Sequence, residues 1–119
     1  MHSVTLYHNP ACSKSRETLA LIRAAGIEPT VIDYLQNPLS RHDLEALRTA
    51  LGLPAACLLR TGDARYAELG LDAPDCTDEQ RMQALLAEPS LFNRPVAVSA
   101  RGARLCRPPE TVLDILPDQ

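Results

Sequence analysis

The sequence predicts an α/β domain with a small mixed sheet, in the order βαβ, helical insert, ββα. Three observations carry that prediction. Between Ser3 and Tyr34 a β-branched run, a helix-period run and a second β-branched run follow one another. From about 38 to 90 the β pattern disappears and two helix-start signatures take its place. Beyond that stretch two short β runs flank a glycine turn, and a proline pair opens a last helix.

Each element has its own local reason. Ser3-Val4-Thr5-Leu6-Tyr7 alternates and is β-branched, so it reads as a strand, and Asn9-Pro10 gives a turn. Over Ser13 to Ala25 the apolar residues Leu19, Ile22 and Ala25 recur at near-helical spacing, with Gly26 as the stop. Pro29 to Tyr34, PTVIDY, is a second strand, and strand, helix, strand at this spacing is a βαβ unit with parallel strands. In the insert, Ser40 and Asp43 form a capping box ahead of Leu44, Leu47 and Leu51, with Gly52 as the stop. PAACLLR, from Pro54 to Arg60, reads as a short helix. Thr77 with Gln80 repeats the capping box before Met82, Leu85 and Leu86, and Pro89 ends that helix. Val96 to Val98 is a strand, Ala100-Arg101-Gly102 a turn, and Ala103 to Arg107 the returning strand of a hairpin. Pro108-Pro109 opens the final helix, whose apolar face includes Val112, Leu113 and Leu116. This order is the plan of a thioredoxin-like, glutaredoxin-type domain, taken as a single domain over 1–119 with its helical insert at about 38–90. In that plan a cis proline stands directly before the third strand, against the thiol loop, and Arg94-Pro95 occupies that place.

Composition narrows the function classes. A chain of 119 residues fits one domain and buries roughly two thirds of its unfolded-chain surface. Its hydrophobic fraction is 45% but its aromatic fraction only 3%, so the core is aliphatic. A formal net charge of −3 argues against nucleic acid as a direct partner, because phosphate neutralisation needs a basic surface. No apolar run is long enough to span a bilayer and no signal peptide precedes the first strand. The four cysteines, Cys12, Cys57, Cys76 and Cys106, form no C-x-x-C, and no histidine stands at zinc-finger spacing. The expectation is a reduced, cytoplasmic thiol protein without a metal site or a tightly bound cofactor. Lys14 is the only lysine, every other cation being arginine, a side chain suited to bidentate grip of tetrahedral oxyanions.

Cys12 is the candidate nucleophile. With a helix beginning at Ser13 or Lys14, it occupies the cap position, where unpaired N–H groups and the positive end of the dipole favour thiolate. An ordinary thiol with a pKa of about 8.5 is about 5–10% thiolate near pH ~7.4, and a drop of about two units makes it about 90%. His8, Lys14 and Arg16 can add to that field. Cys57 reads as core, Cys76 as exposed, and Cys106 as a strand cysteine that would serve as a resolving partner if its hairpin faced Cys12. Ser15 stands where a dithiol pair would have its second cysteine, so an oxidised Cys12 must be resolved by an external thiol, with glutathione or glutaredoxin as the expected source. A phosphatase-type C-x5-R loop fails as well, since it needs arginine at position 18 and the chain has Thr18.

Four segments, YHNPACSKSRETL (Tyr7 to Leu19), Leu58-Leu59-Arg60, Asn93-Arg94-Pro95 and LCRPPETVLDILPD (Leu105 to Asp118), resemble the glutaredoxin-coupled arsenate reductases, the ArsC family of the thioredoxin superfamily. The resemblance spans essentially the entire chain, and SKSRETL is also similar to an ArsC-like subgroup. It implies arsenate reduction and arsenical resistance, with Cys12 forming a thioarsenate ester and His8 helping to ionise it. Arg60, Arg94 and Arg107 would bind the oxyanion, with Ser15, Arg16 and Pro95 in support. Implied partners are arsenate, glutathione as co-substrate and glutaredoxin, with the protein acting as a monomer. The chain stops soon after LDILPD, short of the longer tail of well-known members. Two other readings fit the same superfamily: a thiol oxidoreductase acting on glutathione adducts, and an Spx-like regulator that binds RNA polymerase. A cage of three arginines favours the first reading, because neither alternative requires one. Arg23, Arg48 and Arg65 read as surface charges.

Overall fold

The computed structural model describes residues 3–117, so Asp118, at the end of the LCRPPETVLDILPD segment, lies outside the described residues. The chain divides into two compact units, one formed by the segment up to Asn37 together with Arg94 onward, the other by Pro38–Asn93.

The first unit holds a four-stranded mixed sheet in the order β2-β1-β3-β4. Strand β1 (Val4–His8) pairs parallel with β2 (Thr30–Asp33) and antiparallel with β3 (Val96–Ser99), which pairs antiparallel with β4 (Gly102–Leu105). Helix α1 (Ser13–Ala24) makes the crossover from β1 to β2. It ends where Gly26 adopts φ 84°, with the Gly26 N–H on the Arg23 carbonyl and the Ile27 N–H on the Ile22 carbonyl. That is a Schellman closure, and its apolar partners Ile22 and Ile27 both enter the core. The core also takes Val4 and Leu6 from one face of β1, Ala97, Cys106, Val112, Ile115 and Leu116.

Several elements differ from the sequence reading for identifiable reasons. The fully buried positions of α1 are Ser15, Thr18 and Ile22, while Leu19 and Ala25 only lean on the core. Polar residues are buried at the start of this helix because it opens onto the thiol loop. The last helix is a 3-10 run, Pro109–Ile115, not an α-helix. Three residues per turn align Pro109, Val112 and Ile115 on its buried edge and leave Leu113 52% exposed, so Leu113 is not a core residue. The hairpin closes through Ala100-Arg101 with Ser99 opposite Gly102, so Arg107 stands two residues beyond β4 rather than within it.

In the second unit, α2 (Arg41–Leu51) and α4 (Asp78–Ala87) carry the capping boxes Ser40/Asp43 and Thr77/Gln80, both closed. Gly52 ends α2 at φ 66°. PAACLLR folds as a 3-10 turn over Ala55–Leu58 only, and Leu59 is extended and bridges Phe92, so Arg60 does not end a helix. Helix α3 (Ala64–Glu68), capped by Asp63, has no counterpart in the sequence reading. Leu44, Leu47, Met82 and Leu85 are buried, whereas Leu86 is exposed.

Candidate active site

Strand register assembles one end of the sheet in the first unit. Val4, Leu6 and His8 form the buried row of β1, and His8 is its last residue. His8 pairs with Asp33 of β2, and Tyr7 with Val96 of β3. One residue further out, the register therefore brings Asn9 level with Tyr34 and with the Arg94-Pro95 step, whose peptide bond is cis.

Asn9 organises the thiol loop. Its Oδ1 accepts from the Ala11 N–H at 3.0 Å and its carbonyl accepts from the Cys12 N–H at 2.9 Å. Its own N–H donates to Ser15 Oγ at 3.3 Å, and its Nδ2 donates to the Tyr34 hydroxyl at 3.3 Å. This Asx turn delivers Cys12 to the N-cap of α1 in extended conformation, with the first helical bond running from the Arg16 N–H to the Cys12 carbonyl. Arg16 braces the loop by donating from Nη1 to the Pro10 carbonyl at 2.9 Å.

The electrostatics around the sulfur follow from that geometry. Partial burial pushes the Cys12 thiol up, but the Ser15 N–H, the Arg94 guanidinium, the Lys14 N–H and the Ser15 hydroxyl outweigh it, bringing the pKa from 9.0 to about 7. These donors favour the charged form, and the neutral thiol closes no cap hydrogen bond of its own. Lys14 acts here through its backbone, its ammonium lying 3.7 Å from Glu17. His8 departs from expectation. Burial holds its pKa below the ordinary histidine value, with Arg16 and Arg23 pushing the same way and Asp33 opposing. It is therefore neutral at pH 7 and supplies no positive charge to the sulfur. Its Nδ1 is buried without a hydrogen-bond partner.

The three expected oxyanion arginines have different settings. Arg94 stands at the Cys12 sulfur, with its Nε buried and unpartnered. Arg107 is exposed and donates from Nη1 to the Arg94 carbonyl at 2.8 Å. Arg60 belongs to the second unit, where its N–H donates to the Leu91 carbonyl and its guanidinium lies 3.3 Å from Asp63. Arg23, Arg48 and Arg65 each pair with a carboxylate, of Glu28, Asp78 and Glu88 respectively. Cys106 is wholly buried, with burial pushing its thiol up to about 12, so it is a core side chain and not a resolving thiol. Cys57 and Cys76 are both half-buried, against expectations of core and surface. Asn9 and Tyr34 escaped the sequence reading as site residues. The Asn-Pro turn beside Cys12 was a signal for the former, and nothing local marked the latter.

The model of the ArsC family matches residues 7–115. The chain belongs to the ArsC family. The match takes in every expected site residue from His8 to Arg107. This ArsC chain is 56% identical over 116 residues to an arsenate reductase of Rhizobium meliloti (strain 1021), covering 98% of the chain and 83% of that relative. An arsenate reductase of Haemophilus influenzae is 42% identical over 115 residues, 96% of this chain and 99% of the relative. Among solved structures, an arsenate reductase from Vibrio cholerae superposes with a TM-score of 0.93 at 44% identity, covering 97% and 98% of the two chains. The thioredoxin-like mixed sheet expected for ArsC is the sheet observed here. Among the described residues no helix is long and apolar enough to cross a membrane.

Proposed function

We propose that this ArsC chain reduces arsenate to arsenite with Cys12 as nucleophile and external thiols as reductant. One observation carries the reading: a thiol at the head of α1, with its pKa near 7 and the Arg94 guanidinium at its sulfur. About half of such a thiol is ionised at neutral pH, beside a cation able to hold an oxyanion that carries roughly two negative charges.

In the first step the Cys12 thiolate forms an S–As bond while one arsenate oxygen leaves as hydroxide and is protonated to water. Arsenic remains As(V) in this thioarsenate ester. Neutral His8 is suited to protonation work rather than to charge stabilisation. Glutathione then adds at arsenic with loss of a second water. Attack on the glutathione sulfur by a glutaredoxin thiol forms a mixed disulfide and passes two electrons to arsenic, leaving As(III) on Cys12; water then hydrolyses the S–As bond, releasing arsenite and regenerating Cys12. Ser15 in place of a second cysteine fits this use of an outside thiol, and the reducing cytoplasm would supply it. Phosphate resembles arsenate in shape and charge and binds the same donors, but thiols do not reduce it, so selectivity lies in the chemistry. The resemblance adds Arg107 and Arg60 to the oxyanion grip. For Arg60 the supporting test is whether Arg60→Ala raises KM for arsenate.

Arsenite formation with glutathione and glutaredoxin, compared between wild type and Cys12→Ser, tests the reading. Wild type is expected to turn over and Cys12→Ser to give no arsenite above background. Equal rates in the two proteins, or an inactive wild type, would overturn it.

A further inference from the structure

Tyr34 is a large polar side chain at this end of the sheet to which neither the sequence reading nor the resemblance gives a task. It lies one residue beyond β2 and is 0% exposed. A tyrosine at the end of an edge strand has no packing need for a hydroxyl, and a buried hydroxyl costs free energy unless it is hydrogen-bonded. Here the oxygen is used twice. Asn9 Nδ2 donates to it at 3.3 Å, and the Arg94 guanidinium is its second donor. Both donors are already committed to the thiol loop: Asn9 fixes the Cys12 N–H and Ser15 Oγ, and Arg94 faces the Cys12 sulfur. The register that pairs His8 with Asp33 and Tyr7 with Val96 is what brings the three residues level.

We propose that Tyr34 is a positioning residue, its buried phenol oxygen holding the Arg94 guanidinium against the Cys12 sulfur and tying both to the Asn9 turn. Arg94 has a long side chain on irregular backbone, and without a second anchor it would sample many rotamers. The phenol removes that freedom without adding charge. Burial pushes its own ionisation upward, and the Cys12 charge adds to that, so the group remains a neutral acceptor as the thiolate forms. The other groups turned on the sulfur are the Ser15 and Lys14 N–H groups and the Ser15 hydroxyl, all on α1. Neutral His8 lies at the end of β1, so Arg94 is the cation whose placement Tyr34 can control.

The proposal rests on Cys12 being the reactive thiol, and its test needs no arsenate. In Tyr34→Phe the pH midpoint for alkylation of Cys12 by iodoacetamide is expected to rise by about half a unit to one unit from about 7, slowing the reaction at pH 7 about two- to fivefold. In an Arg94→Ala background, adding Tyr34→Phe is expected to move the midpoint by less than about 0.2 unit, because the hydroxyl acts through the guanidinium. An unchanged midpoint in the single variant would overturn the proposal, as would an equal shift in the Arg94→Ala background. So would loss of the native circular dichroism spectrum, which would show that the hydroxyl serves the core. A wild type that makes no arsenite while showing these shifts would fail the functional reading and leave the positioning role standing.

Discussion

Arg107 Nη1 donates to the backbone carbonyl of Arg94 at 2.8 Å, so the arginine at the thiol is held from behind by the other. The two side chains are therefore not equivalent members of an anion cage. Arg94 reaches the sulfur, and Arg107 spends one donor on the backbone that carries Arg94.

Unequal roles predict unequal losses. Arg94→Ala removes a donor directed at the reacting centre and is expected to lower kcat/KM for arsenate by about 100-fold, with the fold intact. Arg107→Ala removes an exposed charge-assisted bond worth about 1 kcal/mol, or about fivefold, and Arg107→Lys restores little because it lacks the planar fork. Steady-state kinetics on the three variants checks this. Equal losses for the two alanine variants would contradict the geometry.

The depressed Cys12 pKa sets a pH dependence for both reactivity and stability. Alkylation at Cys12 is expected to follow a single ionisation near pH 7 and to reach its plateau above it. For stability, the unfolded thiol titrates near 9.0 and the folded one near 7, so between these values the unfolded chain binds more protons and stability rises with pH. The contribution is complete above pH 9 and lost as pH falls through 7. Thermal unfolding of wild type and Cys12→Ser across pH 6–9 should show wild type gaining relative to the variant as pH rises. A constant difference would argue that the sulfur feels no net field.

Cys106 offers the opposite case. Enclosed among Val4, Ala97, Val112 and Ile115 and with its thiol pushed up to about 12, it is expected to resist alkylation in the folded protein. Modification there should appear only when denaturant opens the first unit. Cys106→Ala is expected to cost about 1 kcal/mol of stability, the loss of one small buried group, and to leave arsenate turnover within about twofold of wild type. Peptide mass mapping after timed iodoacetamide treatment, with a urea titration, decides it. Fast native labelling at Cys106 would restore it as a candidate resolving thiol.

How much could be read from the chain depended on how far apart the cooperating residues lie. Ser40/Asp43, Thr77/Gln80 and Cys12 before its helix are local patterns, and each forms the expected structure. The Asn9–Tyr34 bond joins residues 25 apart and exists only because of strand register, which a single sequence does not specify. The neutral state of His8 depends on its burial at the end of the β1 row, a tertiary fact. In the last helix Val112 and Leu116 are core residues as expected, but a period of 3.6 also selects Leu113 where the actual period of three selects Ile115. Short α3 carries too few residues for any periodicity to show, although Asp63 as its cap was a usable sign.

Two glycines of the second unit separate backbone strain from steric crowding. Gly52 and Gly62 both have open space where a Cβ would stand, but Gly52 sits at φ 66° and Gly62 does not have a left-handed φ. Gly52→Ala therefore pays only for forcing an L side chain into the αL region at the end of α2, about 1 kcal/mol. Gly52→Asn should cost less, since asparagine tolerates that region. Gly62→Ala should fall within about 0.5 kcal/mol of wild type, because lower unfolded-chain entropy offsets small native losses. Urea unfolding of the three variants is expected to lower the midpoint for Gly52→Ala with the slope unchanged, and to leave Gly62→Ala near wild type. If Gly52→Ala and Gly62→Ala shifted the midpoint equally, the left-handed cap would not be what closes α2.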